Sequence, residues 1–327
     1  PGTGKTTIIK TIIDLFEERK KKVVLTAPTG RAAKKMTEAT GREASTLHRL
    51  LGIGKLDDEG IYSRHSDYKG EPIDADLVVV DELSMVDMFL MDYLLNCIYQ
   101  GTKLILVGDI DQLASVGPGS VLKDLINSEV INTVKLDKIF RQAAKSKIVI
   151  NAHNVNEGKS FITNENNEEQ KNDFFYINEI SKEKILYQVI SLCKERLVKY
   201  GNYDFFKDMQ VLTPTKRGIL GTKELNKSLQ EAINPHSDLK EEKQYGEQIY
   251  RVGDRVMQIK NNYDIYWVRK EETGTGIFNG EIGKIDHIDN ESKQVKILYD
   301  DEKVAWYQFS ELDQIEHAYA ITIHKSQ

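Results

Sequence analysis

A glycine-rich run near the start of the chain has the residue types that bind phosphate. Gly2-Thr3-Gly4-Lys5-Thr6-Thr7 matches the end of the pattern G-x-x-x-x-G-K-S/T, whose first glycine would precede Pro1. Glycines let backbone N–H groups point at phosphate oxygens, and a helix N-terminus adds positive potential. We expect Lys5 to reach the β- and γ-phosphates of ATP, and Thr6 to coordinate Mg²⁺. The alternative is a glycine-rich turn that binds nothing.

Two carboxylates follow an apolar segment further along the chain. Asp81 and Glu82 come directly after Val78-Val79-Val80. Asp81 could hold Mg²⁺, and Glu82 could polarise the attacking water. Such pairs are common at strand ends, but ligands of open α/β sheets bind at the carboxyl edge of the strands, where Lys5 is also expected. The residues together predict nucleotide hydrolysis.

Two more polar residues have side chains suited to this chemistry. Gln112 follows a third apolar segment, at 104–107, and could sense the γ-phosphate. Arg141 lies beyond the first predicted sheet, and its guanidinium could neutralise charge that develops on the phosphoryl group. Two alternatives remain: Asp109 caps a turn, and Arg141 forms a surface ion pair.

The elements that must position these residues alternate between helix and strand. Apolar residues at helical spacing over 6–19 predict a helix, and the short apolar run 23–27 predicts a buried strand. The alternation continues with a helix from Gly30, strands at 77–80 and 104–107, and a helix over 85–98. A second α/β stretch has a helix over 181–200, a strand at 210–212 and a helix after Thr222. The pattern predicts an α/β fold with parallel sheets covered on both faces.

Two segments interrupt the alternation. Residues 52–75 contain glycine-rich turns and predict a short hairpin inserted in a first lobe, 1–134. Residues 248–312 predict a small antiparallel barrel inserted in a second lobe, 135–327, because Asn279-Gly280, Asp289-Asn290 and Asp300-Asp301 mark turns between short strands. The boundary between the lobes is left open within 135–200.

Composition excludes several classes of protein. The 327 residues are 40% hydrophobic and 29% charged, without an apolar run long enough to cross a bilayer, so we expect no membrane partner and a cytoplasmic location. The net charge of −6 gives no global attraction for nucleic acid, so any such binding must be local. Cys97 and Cys193 have no metal-site or disulfide spacing, and we expect both to be buried.

Eight segments, taken in order, resemble the successive motifs of superfamily 1 helicases. They are residues 2–7, 27–33 (APTGRAA), 45–50 (STLHRL), 81–85 (DELSM), 108–113 (GDIDQL), 140–142 (FRQ), 278–283 (FNGEIG) and 323–327 (IHKSQ). The set is most similar to RecD-like helicases, the family of the exodeoxyribonuclease V alpha subunit. The resemblance implies a P-loop NTPase with two RecA-like lobes, a hairpin in the first and an SH3-like barrel in the second. It also implies ATP-driven 5′ to 3′ movement on DNA, in repair or recombination.

The resemblance assigns further residues and partners. The DNA channel would be lined by Pro28, Thr29, Gly30, Arg31, Thr46, His48, Thr213, Pro214, Thr215, His324, Lys325 and Ser326. Hydroxyls, backbone amides and a few cations suit a grip on phosphates that ignores sequence. The hairpin would be a pin at the single/double-strand junction, with Tyr62, His65 or Tyr68 as stacking groups. Nuclease-complex subunits or a single-strand-binding protein are further expected partners, and a buried, satisfied histidine is the alternative for His48.

The chain departs from the family pattern at both ends. It opens inside the phosphate-binding motif, which predicts an internal fragment of a longer protein. The first loop glycine, an upstream glutamine that reads adenine, the Gly-Ser-Glu continuation and a later arginine motif are missing, so the piece alone is expected to hydrolyse ATP poorly. Three alternatives stay open: an ATPase switch that is not a helicase, a binding subunit with a decayed motor, and an RNA-directed relative.

Overall fold

The computed structural model describes residues 4–53, 72–136, 146–163, 173–270 and 272–326. The tip of the predicted hairpin, with Tyr62, His65 and Tyr68, lies outside these residues, as do Gly2, Thr3 and Arg141. The chain forms two compact units, Pro1–Ile177 and Asn178–Gln327. No helix of the described ranges is long and apolar enough to cross a membrane.

The first unit contains a four-stranded parallel sheet. Its elements are α1 (Lys5–Glu18), β1 (Val23–Ala27), α2 (Gly30–Thr40), β2 (Ala44–Thr46), α3 (Leu47–Leu50), β3 (Leu77–Val80), α4 (Met88–Cys97), β4 (Lys103–Leu106), α5 (Val121–Asn127) and α6 (Lys147–Asn156), with a 3₁₀ turn at Leu83–Met85. The strand order is β2-β1-β3-β4 and every pairing is parallel, which confirms the predicted sheet.

Both faces of this sheet are covered. Leu77 and Val79 of β3 pack with α1 and α2 in one apolar cluster, while Val78 and Val80 pack with α3 and α4 in another. Successive side chains of a strand point to opposite faces, so an unbroken apolar strand marks a sheet that is buried on both sides. All four β3 side chains are fully buried, and burying each contributes about 1.5–3 kcal/mol.

Helix α4 begins later than the sequence predicted. The helix expected over 85–98 starts at Met88, because Asp87 adopts an extended backbone and its Oδ1 accepts the N–H of Leu90 at 2.8 Å. This N-cap satisfies a backbone donor that the first helical turn leaves unpaired. The preceding residues form the 3₁₀ turn Leu83–Met85 instead.

Gly117→Ala is expected to destabilise the first unit by about 1 kcal/mol, the usual contribution of an N-cap. A Cβ at Gly117 would overlap the carboxylate of Asp87, so the cap of α4 would have to move. Urea unfolding followed by circular dichroism would measure the loss. Val116→Ala is the control, because that side chain is 90% exposed and its truncation should change little. Equal stability of the two variants would contradict the prediction.

The second unit begins with helices and a short parallel sheet. Its elements are α7 (Lys182–Ser191), a π-helical segment (Leu192–Arg196), α8 (Leu197–Gly201), α9 (Phe205–Asp208), β5 (Val211–Thr213), α10 (Thr222–Ile233) and β15 (Ala320–Thr322), which pairs in parallel with β5. Their core includes Phe205, Leu225, Leu229 and Tyr319. Cys193 is buried here, and Cys97 is buried in the first unit, as predicted.

An antiparallel sheet occupies the rest of the second unit. After the hairpin β6 (Glu242–Tyr245) and β7 (Gln248–Arg251) come β8 (Arg255–Gln258), β9 (Asn262–Arg269), β10 (Glu272–Ile277), β11 (Ile282–Asp289), β12 (Gln294–Tyr299), β13 (Val304–Gln308) and β14 (Ile315–His317). The sheet order is β10-β9-β13-β12-β11-β8-β14. Two of the predicted turns, at Asp289-Asn290 and Asp300-Asp301, join paired antiparallel strands, and Asn279-Gly280 lies between β10 and β11, so the small antiparallel fold is confirmed.

A buried polar network joins this sheet to helix α10. Asp254 is fully buried, and its carboxylate accepts hydrogen bonds from both α10 and the segment that follows β14. The donors are Gln230 Nε2 at 2.6 Å, Asn234 Nδ2 at 2.7 Å, the Arg251 N–H at 2.7 Å, His317 Nε2 at 3.1 Å and Tyr319 OH at 2.8 Å. A buried carboxylate is stable only with such a complete set of donors. Asp254 therefore connects the antiparallel sheet to α10 and to Tyr319, the residue that directly precedes β15.

Candidate nucleotide site and strand-binding edges

The N-terminus of α1 has the geometry of an anion site. Gly4 precedes the helix with φ 83°, a left-handed conformation that favours glycine, and no side chain caps the helix there. Its carbonyl accepts the N–H of Ile8 at 3.2 Å, which starts the helical ladder. The N–H groups of the first turn consequently have no helical partner. They can donate to phosphate oxygens, as the glycine-rich run predicted.

Lys5 is held beside a carboxylate from the end of β4. Its Nζ lies 3.5 Å from Asp109 Oδ2, and both side chains are largely buried. Burial raises the pKa of the Asp109 carboxyl, but the N–H of Asp111 and the ammonium of Lys5 lower it by more. The pKa of this carboxyl therefore lies below its ordinary value. Asp109 thus caps a turn, as the alternative interpretation had it, and also orients Lys5.

Asp81 and Glu82 follow β3 at the carboxyl edge of the sheet. Asp81 Oδ1 accepts the N–H of Glu82 at 2.8 Å, while Glu82 Oε2 is buried without a hydrogen-bond partner among the described residues. Glu82 has φ 51°, which is unusual for a residue with a side chain and typical of strained functional positions. Burial raises the pKa of both carboxyls, and the charge of Asp81 raises that of Glu82 further.

A cavity of about 110 Å³ joins these residues to the facing sides of α1 and α2. It is lined by Thr6, Ile9, Ala32, Lys35, Met36, Thr40, Asp81 and Glu82. Residues three and four apart share one helix face, so Thr6 and Ile9 mark the face of α1 that borders the cavity. Ala32, Lys35 and Met36 mark the corresponding face of α2.

The donor set of this cavity fits magnesium bound with a nucleotide. Thr6 supplies a hydroxyl and Asp81 a carboxylate, the hard oxygen ligands that Mg²⁺ prefers. No group of three side chains in the described ranges could hold a metal ion unaided. Mg²⁺ is usually bound by one or two protein groups together with substrate phosphates and water, so two ligands are enough here.

The segment that contains Gln112 packs against the turn after Glu82. A Cβ at Gly108 would lie 3.3 Å from the backbone nitrogens of Leu83 and Ser84, so the two segments are in close contact. The N–H of Gln112 donates to the Asp109 carbonyl at 3.2 Å, and its side chain is half-buried. This places Gln112 on the segment that holds Lys5 through Asp109. Its role as a sensor stays a prediction.

The predicted strand-binding residues of the first unit lie at one edge of the sheet. β1 and β2 are neighbouring parallel strands, and Ala27 at the end of β1 pairs with Thr46 at the end of β2. The segment that follows β1 therefore begins at the same edge of the sheet as Thr46. It contains Pro28, Thr29, Gly30 and Arg31. The hydroxyls of Thr29 and Thr46 cap α2 and α3, each accepting a backbone N–H at 3.2 Å.

His48 sits in α3 and is half-buried. Burial lowers its pKa, against the opposing charge of Asp87, and so disfavours the cationic form of the ring. Partial burial agrees with the structural interpretation. A hydrogen-bonding contact with DNA stays a prediction.

The second unit also brings its predicted strand-binding residues together. β5 and β15 are parallel, with Thr213 paired to Thr322, so 214–215 and 323–326 follow at the same edge. Thr213 itself is buried, and its hydroxyl donates to the Leu220 carbonyl at 2.6 Å, which leaves Pro214 and Thr215 as the exposed pair.

The 3₁₀ turn that follows β15 completes this edge. His324 is exposed, and Ser326 Oγ donates to the Ile323 carbonyl at 2.7 Å. Lys325 donates to the side chain of Asn279, in the turn between β10 and β11, and burial lowers the pKa of its ammonium. The antiparallel sheet therefore contacts the turn predicted to bind DNA.

Sequence reasoning missed Lys35. Lys35 lines the cavity with Thr6, Asp81 and Glu82, yet it lies outside the glycine-rich run and the strand ends on which the predictions concentrated. Its spacing from Ala32 and Met36 on an amphipathic helix was the available signal, because those two residues mark the inward face of α2.

Comparison with known proteins agrees with this geometry. Residues 1–172 match a family described as an AAA domain, and residues 225–299 match the SH3 domain of ATP-dependent RecD-like DNA helicases. The whole chain is 35% identical to the ATP-dependent RecD2 DNA helicase of Deinococcus radiodurans, of which it covers 40%. It is 28% identical to the RecBCD enzyme subunit RecD of Buchnera aphidicola, of which it covers 62%. The chain therefore spans only part of the length of these relatives.

Solved structures show the same fold at lower identity. The whole chain superposes on 77% of a chain from a structure of two coordinating Pif1 helicases at forked double-stranded DNA, with a TM-score of 0.53 and 19% identity. It superposes on 78% of the Bacteroides Pif1 helicase in complex with ADP-AlF3 and single-stranded DNA, with a TM-score of 0.52 and 19% identity. With the phosphate-binding helix, the match over residues 1–172 shows that the chain belongs to the AAA-domain family, and its SH3 domain and its similarity to RecD2 make it RecD-like within that family.

Proposed function

We propose that the full-length protein is an ATP-dependent DNA helicase that moves 5′ to 3′ along single-stranded DNA and unwinds duplexes, in repair or recombination. One observation carries the proposal. Thr6, Asp81 and Glu82 line one cavity beside the uncapped N-terminus of α1, and Lys5 begins that helix. The match of residues 225–299 to the SH3 domain of RecD-like DNA helicases supports a DNA motor over a general ATPase.

The residues of the first unit divide the chemistry of ATP hydrolysis between them. The N–H groups of α1 and the Lys5 ammonium bind the β- and γ-phosphates, for which Asp109 holds Lys5 in place. Thr6 and Asp81 would hold Mg²⁺, which would supply positive charge to the phosphate oxygens. Glu82 accepts a proton from the attacking water, and its partly unpaired carboxylate leaves an oxygen free to do so. Arg141 neutralises charge on the transferred group, and Gln112 responds to loss of the γ-phosphate.

Each unit grips DNA at one edge of its parallel sheet. Residues 28–31 with Thr46 and His48 form the edge of the first unit, and 214–215 with 324–326 form that of the second, where Thr213 is buried and supports the edge from within. Backbone amides and hydroxyls at these edges bind phosphates without reading bases, as a translocating motor requires. Direction follows from the RecD-like relationship. The relative named as a RecBCD subunit makes a nuclease complex one candidate assembly, and a single-strand-binding protein is another.

The decisive test compares the full-length protein with its Lys5→Ala variant. We expect single-stranded DNA to stimulate ATP hydrolysis of the wild type and the variant to lose roughly 10²- to 10³-fold in kcat, because a preorganised cation at the phosphates is removed. Duplexes with a 5′ single-stranded tail should be unwound and those with a 3′ tail should not. Turnover that ignores DNA would reject the helicase and favour an ATPase switch, and equal stimulation by RNA would favour an RNA-directed motor.

A further inference from the structure

Lys35 is a second lysine close to the proposed hydrolysis site, in addition to Lys5. Its side chain is exposed to solvent, and it is one of the residues of α2 that line the cavity together with Thr6, Asp81 and Glu82. Helix α2 packs against the same apolar cluster as α1 and β3, so the backbone that carries Lys35 is fixed relative to the end of β3. Its ammonium attracts the Glu82 carboxylate electrostatically.

Two groups of this cavity have no hydrogen-bond partner among the described residues, and one of them, Glu82 Oε2, is buried. Glu82 Oε2 is buried without a hydrogen-bond donor among the residues that the structure describes. Lys35 has no hydrogen bond or ion pair within the same residues. A buried carboxylate oxygen without a donor is unfavourable, and an ammonium group carries three donors. The two groups are therefore complementary.

The other cation near Glu82 has a different partner. Lys5 lies 3.5 Å from Asp109, and ATP would direct it to the phosphates. Asp81 and Asp109 are both negative, and both repel the Glu82 carboxylate. Within the described part of the chain, Lys35 is the other cation whose charge favours the Glu82 carboxylate.

We infer that Lys35 is a positioning residue that donates a hydrogen bond to Glu82 Oε1 or Oε2 and holds the carboxylate toward the attacking water. The inference rests on the proposed ATP hydrolysis. Lys35 forms no bond with the reacting atoms and acts through Glu82. Its effect should consequently appear in kcat and in the affinity for a transition-state analogue, and it should disappear when Glu82 can no longer act as a base.

The experiment uses the full-length protein with saturating single-stranded DNA and a set of substitutions at Lys35. Lys35→Ala and Lys35→Met should lower kcat for ATP hydrolysis roughly 10- to 100-fold, the equivalent of one charge-assisted hydrogen bond. Lys35→Arg should recover most of the loss because it keeps a charged donor. Lys10→Ala is the control, since Lys10 is an exposed lysine of α1 that does not line the cavity.

Binding measurements separate positioning from other roles. Lys35→Ala should bind ADP and single-stranded DNA as the wild type does, but bind ADP with aluminium fluoride less tightly. In the Glu82→Gln background, Lys35→Ala should change kcat by less than about twofold, because the two residues act as one unit.

Three outcomes would overturn the inference. They are a Lys35→Ala kcat close to that of the wild type, an undiminished effect in the Glu82→Gln background, and a loss confined to DNA affinity, which would make Lys35 a strand contact. Failure of the proposed function itself would look different, because the wild type would then show no ATP hydrolysis stimulated by DNA.

Discussion

Glu82→Gln is expected to lower the kcat of DNA-stimulated ATP hydrolysis roughly 10²- to 10⁴-fold, the usual contribution of a general base. Glutamine keeps the size of the side chain but cannot accept a proton from water. Nucleotide affinity should persist, because the N–H groups of α1 and the Lys5 ammonium remain. Steady-state ATPase assays and equilibrium binding of a fluorescent ATP analogue would measure the two quantities on the same samples.

A matched substitution checks the specificity of this loss. Glu38→Gln removes an exposed carboxylate from α2, outside the cavity lining, and should leave kcat unchanged. If Glu82→Gln retained near wild-type turnover, the base would have to be another residue, and the role of the buried Oε2 would have to be reconsidered.

Asp254→Ala is expected to lower the stability of the second unit by about 3–5 kcal/mol, the usual cost of removing one partner from a buried charged network. The variant leaves five donors without their acceptor in a region closed to water. Trp267 and Trp306 are the two tryptophans of the chain and both lie in the antiparallel sheet. Tryptophan fluorescence during urea denaturation of the 327-residue chain therefore reports on this unit directly.

The same carboxylate should make stability depend on pH. Burial raises the pKa of Asp254, but hydrogen bonds from His317, Asn234 and the Arg251 N–H outweigh it, so the folded pKa lies below the ordinary 3.8. The contribution of Asp254 to the free energy of unfolding is therefore complete at neutral pH and is lost as the pH falls through the folded pKa.

The control for Asp254→Ala is Asp286→Ala, which removes an exposed ion pair with Lys296 and should cost at most about 1 kcal/mol of stability. A similar loss in the two variants would contradict a special role for Asp254.

Elements with one dominant local signal were predictable from the sequence. The short runs that form β1 and β3 gave their strand boundaries, because β3 is wholly apolar and Thr26 is the one polar residue of β1. Convergence of Lys5 with Asp81 and Glu82 followed from topology alone, since parallel strands end at a common edge. Strand β2 was not predicted, because three residues with two hydroxyl side chains carry no strand pattern.

Features that depend on distant partners were beyond sequence patterns. Asp254 and His317 are 63 positions apart, so their contact depends on the whole antiparallel sheet. The burial of His48 depends on packing around α3, and the approach of Lys35 to Glu82 depends on how α2 lies against α1. Helical spacing shows which face is buried but not which strand end that face meets.

The left-handed backbone of Glu82 sets the thermal stability of this turn against the catalytic need for a carboxylate. For a residue with a side chain, such a conformation costs about 1–3 kcal/mol of free energy, whereas glycine adopts it without strain. Random mutation screened only for thermal resistance would accordingly favour glycine at this position and discard the carboxylate. Retention of glutamate in lineages that carry this turn would then record selection for chemistry against the preference of the fold.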